Sequence, residues 1–128
     1  MNHVYAHITS VHTTHGNLGD LIGFHIADHL LGRDGYTRLG IRSKDEIPQG
    51  TVAVVGSLIA ALTHAPCHVV GGGLIHGNRR QYGPDFRADA VRGFLTQTLI
   101  QRDAKQLPEV IGDPGLLLAE LEPLPRVA

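Results

Sequence analysis

Short runs of β-branched and small apolar residues alternate along this chain with amphipathic stretches. Runs suited to buried strands lie at residues 3–9, 51–55 and 67–70. Between the first two, apolar residues recur at helical spacing and predict a helix over residues 18–31. Buried strands separated by helices are typical of a mainly parallel sheet with helices on both of its faces. The sequence therefore predicts the α/β class.

The remaining elements continue this alternation. Further strands are predicted at residues 36–41, 88–91 and 109–111, and further helices at 57–62, 93–102 and 115–121. Leu95 and Leu99 are expected to face the core, and the polar residues 76–86 to form a surface loop. The capping residues expected are Asn17, Ser57 and Asp113 at helix starts, with Pro114 in a first helical position and Gly32 at a helix end.

Composition narrows the class of protein. One domain is expected over residues 1–121, and the Pro-containing segment 122–128 is expected to be a tail or the start of an interdomain linker. A net charge of −1 argues against nucleic-acid or anionic-membrane partners, and no apolar run is long enough for a transmembrane helix. Cys67 is the single cysteine, so no disulfide forms within the chain. No signal peptide is visible, and a cytoplasmic location is expected.

Glycine-rich segments follow several predicted strands and indicate a binding site. They are residues 16–20, 56–57, 71–77 and 92–93. Carboxyl ends of parallel strands share one edge of a sheet, and ligands of open α/β sheets bind beyond that edge. The four segments are therefore expected to converge there.

The first segment contains Asn17, Gly19 and Asp20 at the predicted start of a helix. Glycines there let a ligand approach backbone N–H groups, where anions are favoured. An ordinary capped helix start explains the same residues, and Asp20 counts against a bare phosphate. Both interpretations stay open.

The triplet Gly71, Gly72 and Gly73 ends a predicted strand. Three glycines cost backbone entropy, so another group is expected to approach closely. The segment fits neither a dinucleotide-binding motif nor a P-loop. His76, Arg79 and Arg80 follow, and they either reach a bound anion or belong to a solvated loop.

Arg92 follows another predicted strand, where its guanidinium can form paired hydrogen bonds with a carboxylate or phosphate. An ordinary surface arginine is the alternative. Among the nine histidines, His25 and His29 share a helix face at i,i+4 spacing, but no third ligand is indicated. No metal and no cofactor are therefore expected.

Five segments in this order resemble the polysaccharide pyruvyl transferase family. They read Asn-Leu-Gly-Asp at 17–20, Val-Gly-Ser-Leu-Ile at 55–59, Val-Gly-Gly-Gly-Leu-Ile at 70–75, Ala-Val-Arg-Gly-Phe-Leu-Thr at 90–96 and Ile-Gly-Asp-Pro-Gly-Leu-Leu-Leu at 111–118. The likeness covers the N-terminal half of a family member. It implies two Rossmann-like domains, arranged as in the B-type glycosyltransferases, with the active site between them.

The resemblance also implies a reaction, the transfer of pyruvate from phosphoenolpyruvate to a polysaccharide sugar as a ketal. It makes Arg92, by its match to the family's arginine at a strand end, the best donor-binding candidate. His76 is a possible acid or base, by chemical type and place rather than by a matched motif. Asn17, Gly19, Asp20 and the triple glycine are the further binding candidates.

The resemblance leaves the second wall of the site to a missing C-terminal domain or a second chain. We therefore expect weak donor binding and no turnover by this chain alone. The alternatives are a non-catalytic Rossmann-type module for a nucleotide or nucleotide sugar, and half of a glycosyltransferase.

Overall fold

The structure, a computed structural model, describes residues 2–5, 18–39 and 47–122. The strands are β1 Asn2–Tyr5, β2 Tyr36–Leu39, β3 Thr51–Ala53, β4 Cys67–Gly72, β5 Arg87–Val91 and β6 Val110–Ile111. The helices are α1 Leu18–Leu31, α2 Phe94–Ala104 and the single turn α3 Leu118–Leu121, with 3₁₀ turns at Ile59–Ala61 and Pro114–Leu117. Within the described ranges, none of these helices has the length and apolar character to cross a bilayer.

The strands form one sheet in the order β2-β1-β3-β4-β5-β6, and every neighbouring pair is parallel. The predicted α/β class and parallel sheet are confirmed. The strand order reverses between β1 and β3, and ligands of such sheets bind outside the carboxyl ends near a reversal of this kind. This order begins as flavodoxin-like sheets do, whereas the dinucleotide-binding Rossmann order is 3-2-1-4-5-6.

Two apolar clusters cover opposite faces of the sheet. Ala53 belongs to the larger cluster, which includes the 3₁₀ turn after β3 and Ile100 of α2. Val54 packs against the smaller cluster, which contains Phe24 and Ala27 of α1. Successive residues of an extended chain point to opposite sides. The structure therefore has helices on both faces, as the sequence predicts.

Helix α1 has the predicted bounds, and a hydrogen-bond network fastens it to β2. Gly32 ends the helix with a φ of +77°, and its N–H donates to the Asp28 carbonyl at 3.0 Å. The Asp28 carboxylate accepts from the Tyr36 hydroxyl at 2.6 Å and from Arg38 Nη2 at 2.9 and 2.8 Å. The hydrogen bond from Tyr36 is the main cause that lowers the pKa of Asp28, and the hydrogen bonds from Arg38 lower it further. Burial of the carboxylate acts in the opposite direction and raises the pKa. The expected cap Asn17 lies outside the described residues.

Helix α2 presents a different face to the core from the expected one. Leu95 is 82% exposed, whereas Thr96 is 5% exposed and Ile100 is fully buried. Residues 96 and 100 have the same i,i+4 spacing as Leu95 and Leu99, so apolar spacing alone could not choose between these faces. The Thr96 hydroxyl accepts a hydrogen bond from the Leu74 N–H at 3.2 Å, which gives this polar side chain a partner within the protein.

The other predicted turns and caps have mixed outcomes. Asp113 caps the 3₁₀ turn Pro114–Leu117 through its Oδ1, which accepts from the Gly115 N–H at 2.8 Å. Ser57 is not a cap, because the 3₁₀ turn Ile59–Ala61 has Leu58 in that position and no side-chain hydrogen bond. Residues 76–86 contain neither helix nor strand, as predicted, but Phe86 is 1% exposed and belongs to the larger apolar cluster, so the segment does not lie entirely on the surface.

Cys67 begins β4 inside the larger cluster and is 2% exposed. Burial raises the pKa of its thiol to about 11. The protonated form therefore dominates at neutral pH, which makes this sulfur a poor nucleophile.

We expect Gly71→Ala to destabilise the fold far more than Gly50→Ala. A Cβ at Gly71 would lie 2.1 Å from Pro114 Cγ and 3.0 Å from the Val54 carbonyl oxygen, at a φ of +112°. Overpacking and backbone strain together predict a loss of about 3 kcal/mol or more. Gly50 has a φ of +85° but nothing within 4 Å of its Cβ position, so its substitution predicts about 1 kcal/mol. Urea unfolding followed by circular dichroism measures both losses, and equal losses would contradict the packing of Pro114 on β4.

Candidate binding site at the carboxyl edge of the sheet

The carboxyl ends of β3, β4 and β5 are joined by backbone hydrogen bonds. The Gly73 N–H donates to the Gly56 carbonyl at 3.0 Å, and the Arg92 N–H donates to the Gly72 carbonyl at 2.9 Å. Three of the four glycine-rich segments therefore converge, as the parallel topology predicts. Of the fourth segment, residues 18–20 lie in the first turn of α1, and residues 16 and 17 lie outside the described residues.

The Arg92 guanidinium lies against the backbone of Gly73. A Cβ on Gly73 would lie 2.7 Å from Arg92 Nη2 and 2.8 Å from both Cζ and Nε. Near-equal distances to three atoms of the planar group mean that the guanidinium covers this Cα. Gly73 is therefore a glycine because of close approach, although the approaching group belongs to the protein.

The Ser57 hydroxyl holds the guanidinium from the neighbouring strand end. Arg92 Nη2 donates to Ser57 Oγ at 2.9 Å. Within the described ranges, no carboxylate pairs with Arg92. The result is an exposed, oriented cation at the edge where ligands of parallel sheets bind.

The three glycines of the triplet have different surroundings. Gly71 lies beneath Pro114, and a Cβ on Gly72 would lie 3.2 Å from Leu58 Cδ1. Both positions are therefore small because protein packs on them. Only Gly73, under the Arg92 side chain, borders the candidate site directly.

The other sequence candidates have no described contact with Arg92. Gly19 and Asp20 lie in the first turn of α1, whose next turn places Ile22 against Gly115, with 3.8 Å between Ile22 Cγ2 and the Cβ position. His76 is exposed, and its neighbour Gly77 lies along α2: the Gly77 carbonyl accepts from Arg102 Nη2 at 3.0 Å, and a Cβ on Gly77 would lie 3.9 Å from Leu99 Cδ2. Within the described part, no hydrogen bond joins His76 to Arg92. Asn17 lies outside the described residues, so its predicted place at this edge stays a prediction.

The loop after β4 carries Arg79 and Arg80 away from Arg92. It follows α2 from Leu74, which bonds Thr96, to Arg80, whose N–H donates to Asp103 Oδ2 at 3.1 Å. Seven residues of helix separate Thr96 from Asp103, which is about 10 Å at 1.5 Å per residue. Arg79 and Arg80 therefore do not join the Arg92 site, which leaves the first of the two sequence interpretations, that they reach an anion there, without support.

Asp103 forms the centre of a separate group of charges. Its Oδ1 accepts from Arg102 Nε at 2.7 Å and its Oδ2 from Arg102 Nη2 at 2.8 Å. These bonds, assisted by the Arg80 N–H, lower the pKa of Asp103 to about 2. The carboxylate is therefore ionised at neutral pH.

Ser57 has a role in the site that sequence reasoning does not give it. The sequence places the pair Gly56-Ser57 at this edge but predicts only a helix cap for the serine. The signal for its role is the same position, because a hydroxyl directly after a buried strand lies beside the next strand end.

The histidine pair of α1 belongs to no described group of side chains that could hold a metal ion. His29 Nε2 lies 2.9 Å from Glu122 Oε1, and His25 is exposed. In the part of the chain that the structure describes, no three His, Cys, Asp or Glu side chains are placed to hold a metal ion.

Comparison with models of known protein families, with curated proteins and with solved structures gave no match. The geometry of the described residues is therefore the basis for the chemistry proposed for this site. The five short segments that resemble a transferase family suggest which reaction to test.

We expect Gly73→Ala to displace the Arg92 guanidinium, because the new methyl group would occupy its position. Loss of the Ser57 hydrogen bond should cost no more than about 1 kcal/mol. The Arg92 Nε–H signal in ¹⁵N NMR should shift and broaden. Gly112→Ala, on the same edge with nothing within 4 Å of its Cβ position, is the control and should leave that signal in place. An unmoved signal in Gly73→Ala would rule out the stacked arrangement.

We expect acid to remove the stabilisation supplied by Asp103. A carboxyl group with a folded-state pKa of about 2 stabilises the fold fully above its unfolded pKa, near 4, and loses that effect as pH falls toward 2. Asp103→Asn should therefore be less stable than the parent at pH 7, and the difference should shrink between about pH 5 and pH 2. Urea unfolding at several pH values measures this. Asp85→Asn, an exposed aspartate in the loop after β4, is the control. A difference that does not change with pH would contradict the assignment.

Proposed function

We propose that this chain is the donor-binding half of a transferase that moves a pyruvyl group from phosphoenolpyruvate to a polysaccharide sugar as a ketal. The observation that carries the proposal is Arg92, an exposed guanidinium held on Gly73 by Ser57 and without a carboxylate partner in the described ranges. The order of the five family-like segments supplies the choice of donor. One Rossmann-like half of a B-type two-domain fold, and a cytoplasmic location, belong to the same proposal.

The chemistry of the donor suits an arginine at this edge. Phosphoenolpyruvate carries a carboxylate and a phosphate, and a guanidinium binds either through paired, charge-assisted hydrogen bonds. In the proposed reaction two sugar hydroxyl oxygens bond to the central carbon of the donor, and its bond to the phosphate oxygen breaks. One hydroxyl proton goes to the methylene carbon, which becomes a methyl group, and the other leaves with phosphate.

The proposal gives each candidate residue a role. Arg92 holds an anionic group of the donor, and Ser57 orients Arg92. Backbone N–H groups near Gly19 and Asp20, at the start of α1, have the proposed role of binding the other anionic group, because the helix dipole favours negative charge there. His76, exposed on the neighbouring loop, is the proposed acid or base.

Exposed apolar side chains near Arg92 support a second wall for the site. Ile75 lies on the loop that follows β4, and Phe94 and Leu95 lie in the first turn of α2 after β5; all three are large and exposed. Exposed apolar patches mark surfaces that another protein surface covers. We propose that a second domain or a second chain covers this edge and brings the sugar acceptor.

A non-catalytic binding module for a nucleotide or nucleotide sugar is the second candidate, with half of a glycosyltransferase as its catalytic variant. The strand order favours it, because flavodoxin-like sheets bind a nucleotide phosphate where the order reverses. So does the chemistry at Arg92, because the side chain that its guanidinium contacts through a described hydrogen bond is the Ser57 hydroxyl rather than an acid or a base. Arg92 would then bind a phosphate of the nucleotide.

Binding of phosphoenolpyruvate should depend on Arg92. We expect weak, saturable binding to the purified chain in a calorimetric titration, and at least tenfold weaker binding to Arg92→Ala. Arg92→Lys should lie between them, because lysine keeps the charge but loses the fork. Arg33→Ala removes an arginine that is 84% exposed and far from this edge in the fold, so it should bind as the parent does.

The same titration separates the two candidates. Saturable binding of a nucleotide or nucleotide sugar, with none of phosphoenolpyruvate, would favour the binding module. Equal binding of phosphoenolpyruvate to the parent and to Arg92→Ala would remove Arg92 from the donor site. We also expect no ketal formation by this chain alone, and robust turnover would contradict the need for a second wall.

A further inference from the structure

Four cationic side chains gather at the C-terminal end of α2. They are Arg79 and Arg80 from the loop after β4, Arg102 from the last turn of α2, and Lys105 directly after the helix. The chain has 11 lysines and arginines and a net charge of −1, so this is a local concentration of positive charge. We call these four residues the α2-end cluster.

Asp103 shows what the cluster can recognise. Its carboxylate takes both N–H groups of one edge of Arg102 and the Arg80 backbone N–H. The side chain of Asp103 is only 3% exposed, so this oxyanion is enclosed by its donors. The Asp103 carboxylate neutralises one positive charge, so the four cationic side chains of the cluster keep a net positive charge.

Arg79 carries part of that surplus on the surface. Its Nη1 lies 3.9 Å from Asp103 Oδ1, too far for a hydrogen bond, and its side chain is 81% exposed. Its guanidinium therefore points donors toward solvent beside an already formed oxyanion site. A second anion can bind there without displacing Asp103.

Two buried donors of the same loop have no acceptor in the described part of the chain. They are Arg80 Nε and the Tyr82 hydroxyl. Burial and the nearby Asp103 charge raise the pKa of Tyr82, which keeps the hydroxyl protonated. Buried polar groups without partners are uncommon in native proteins, and an unseen ligand or water is a usual explanation. The cluster thus holds more donors than Asp103 satisfies.

We propose that the α2-end cluster binds the phosphate or diphosphate group of a small molecule, at a site separate from Arg92. A phosphate fits better than a second carboxylate, because its several oxygens and greater charge can serve Arg79 together with the neighbouring donors. A stacked nucleobase is a poorer match, since the Tyr82 ring packs on Phe86 with 4.7 Å between centroids. This inference does not rest on the proposed transferase function.

The test is a calorimetric titration of the full chain with pyrophosphate and with inorganic phosphate, sodium chloride keeping ionic strength constant. We expect saturable binding of pyrophosphate, at least tenfold weaker in Arg79→Ala. Arg33→Ala is the matched control, because Arg33 is 84% exposed and also lies beside an aspartate, Asp28. Equal weakening in both variants would show a general effect of charge and would overturn the proposed site. Absence of binding to the parent at about 10 mM pyrophosphate, which corresponds to a very weak affinity, would overturn it as well.

Two further variants locate the ligand. Tyr82→Phe should weaken pyrophosphate binding about threefold if the hydroxyl donates to the anion, and unchanged affinity would remove Tyr82 from the site. Arg92→Ala should leave pyrophosphate binding at the α2-end cluster unchanged. Binding lost in Arg92→Ala and retained in Arg79→Ala would place the anion at the sheet edge and refute a second site. Urea unfolding of each variant confirms that the fold is kept.

Discussion

Direct packing of three separate groups on the backbone of β4 is the constraint that organises this molecule. Residues 71–73 lack side chains, and each lies beneath a different group, first Pro114, then Leu58, then the Arg92 guanidinium. The chain after β6, the turn after β3 and the side chain after β5 all reach the same strand end because nothing projects from it. Larger residues there would separate the three strand ends and disperse the polar groups between them.

Helix α2 separates two cationic regions of different construction. At its start, Arg92 is oriented by a hydroxyl and by the backbone, so its full charge is available at the sheet edge. At its end, arginines surround the ionised Asp103, which neutralises part of their charge and fixes their geometry. The loop after β4 runs beside the helix and contributes to both regions. The loop after β4 therefore joins the glycine triplet, at its start, to Arg79 at the far end of α2.

Much of the fold follows from local pattern. The bounds of α1 could be predicted because a long apolar repeat ends at Gly32, which adopts the left-handed conformation that favours glycine. Convergence of Gly72 and Arg92 could be predicted because parallel strands carry their carboxyl ends to one edge.

The rest depends on tertiary contacts that spacing does not encode. Residues 95 and 96 begin equally good helical faces, and the buried one is the face whose hydroxyl bonds Leu74. The path of the loop is set by Arg102, which donates to the Gly77 carbonyl at 3.0 Å. Ser57 likewise acquires its role from a side chain 35 residues away in sequence.

Enclosure of Cys67 has a practical consequence for spectroscopy. The chain has one native thiol, which is buried in the larger cluster and protonated at neutral pH. Maleimide and methanethiosulfonate reagents require an accessible thiolate, so the native chain should stay unlabelled while folded. A cysteine introduced on the surface would then carry a single fluorophore or spin label without replacement of the native residue. Distances between the sheet edge and the far end of α2 become measurable in solution from pairs of such positions.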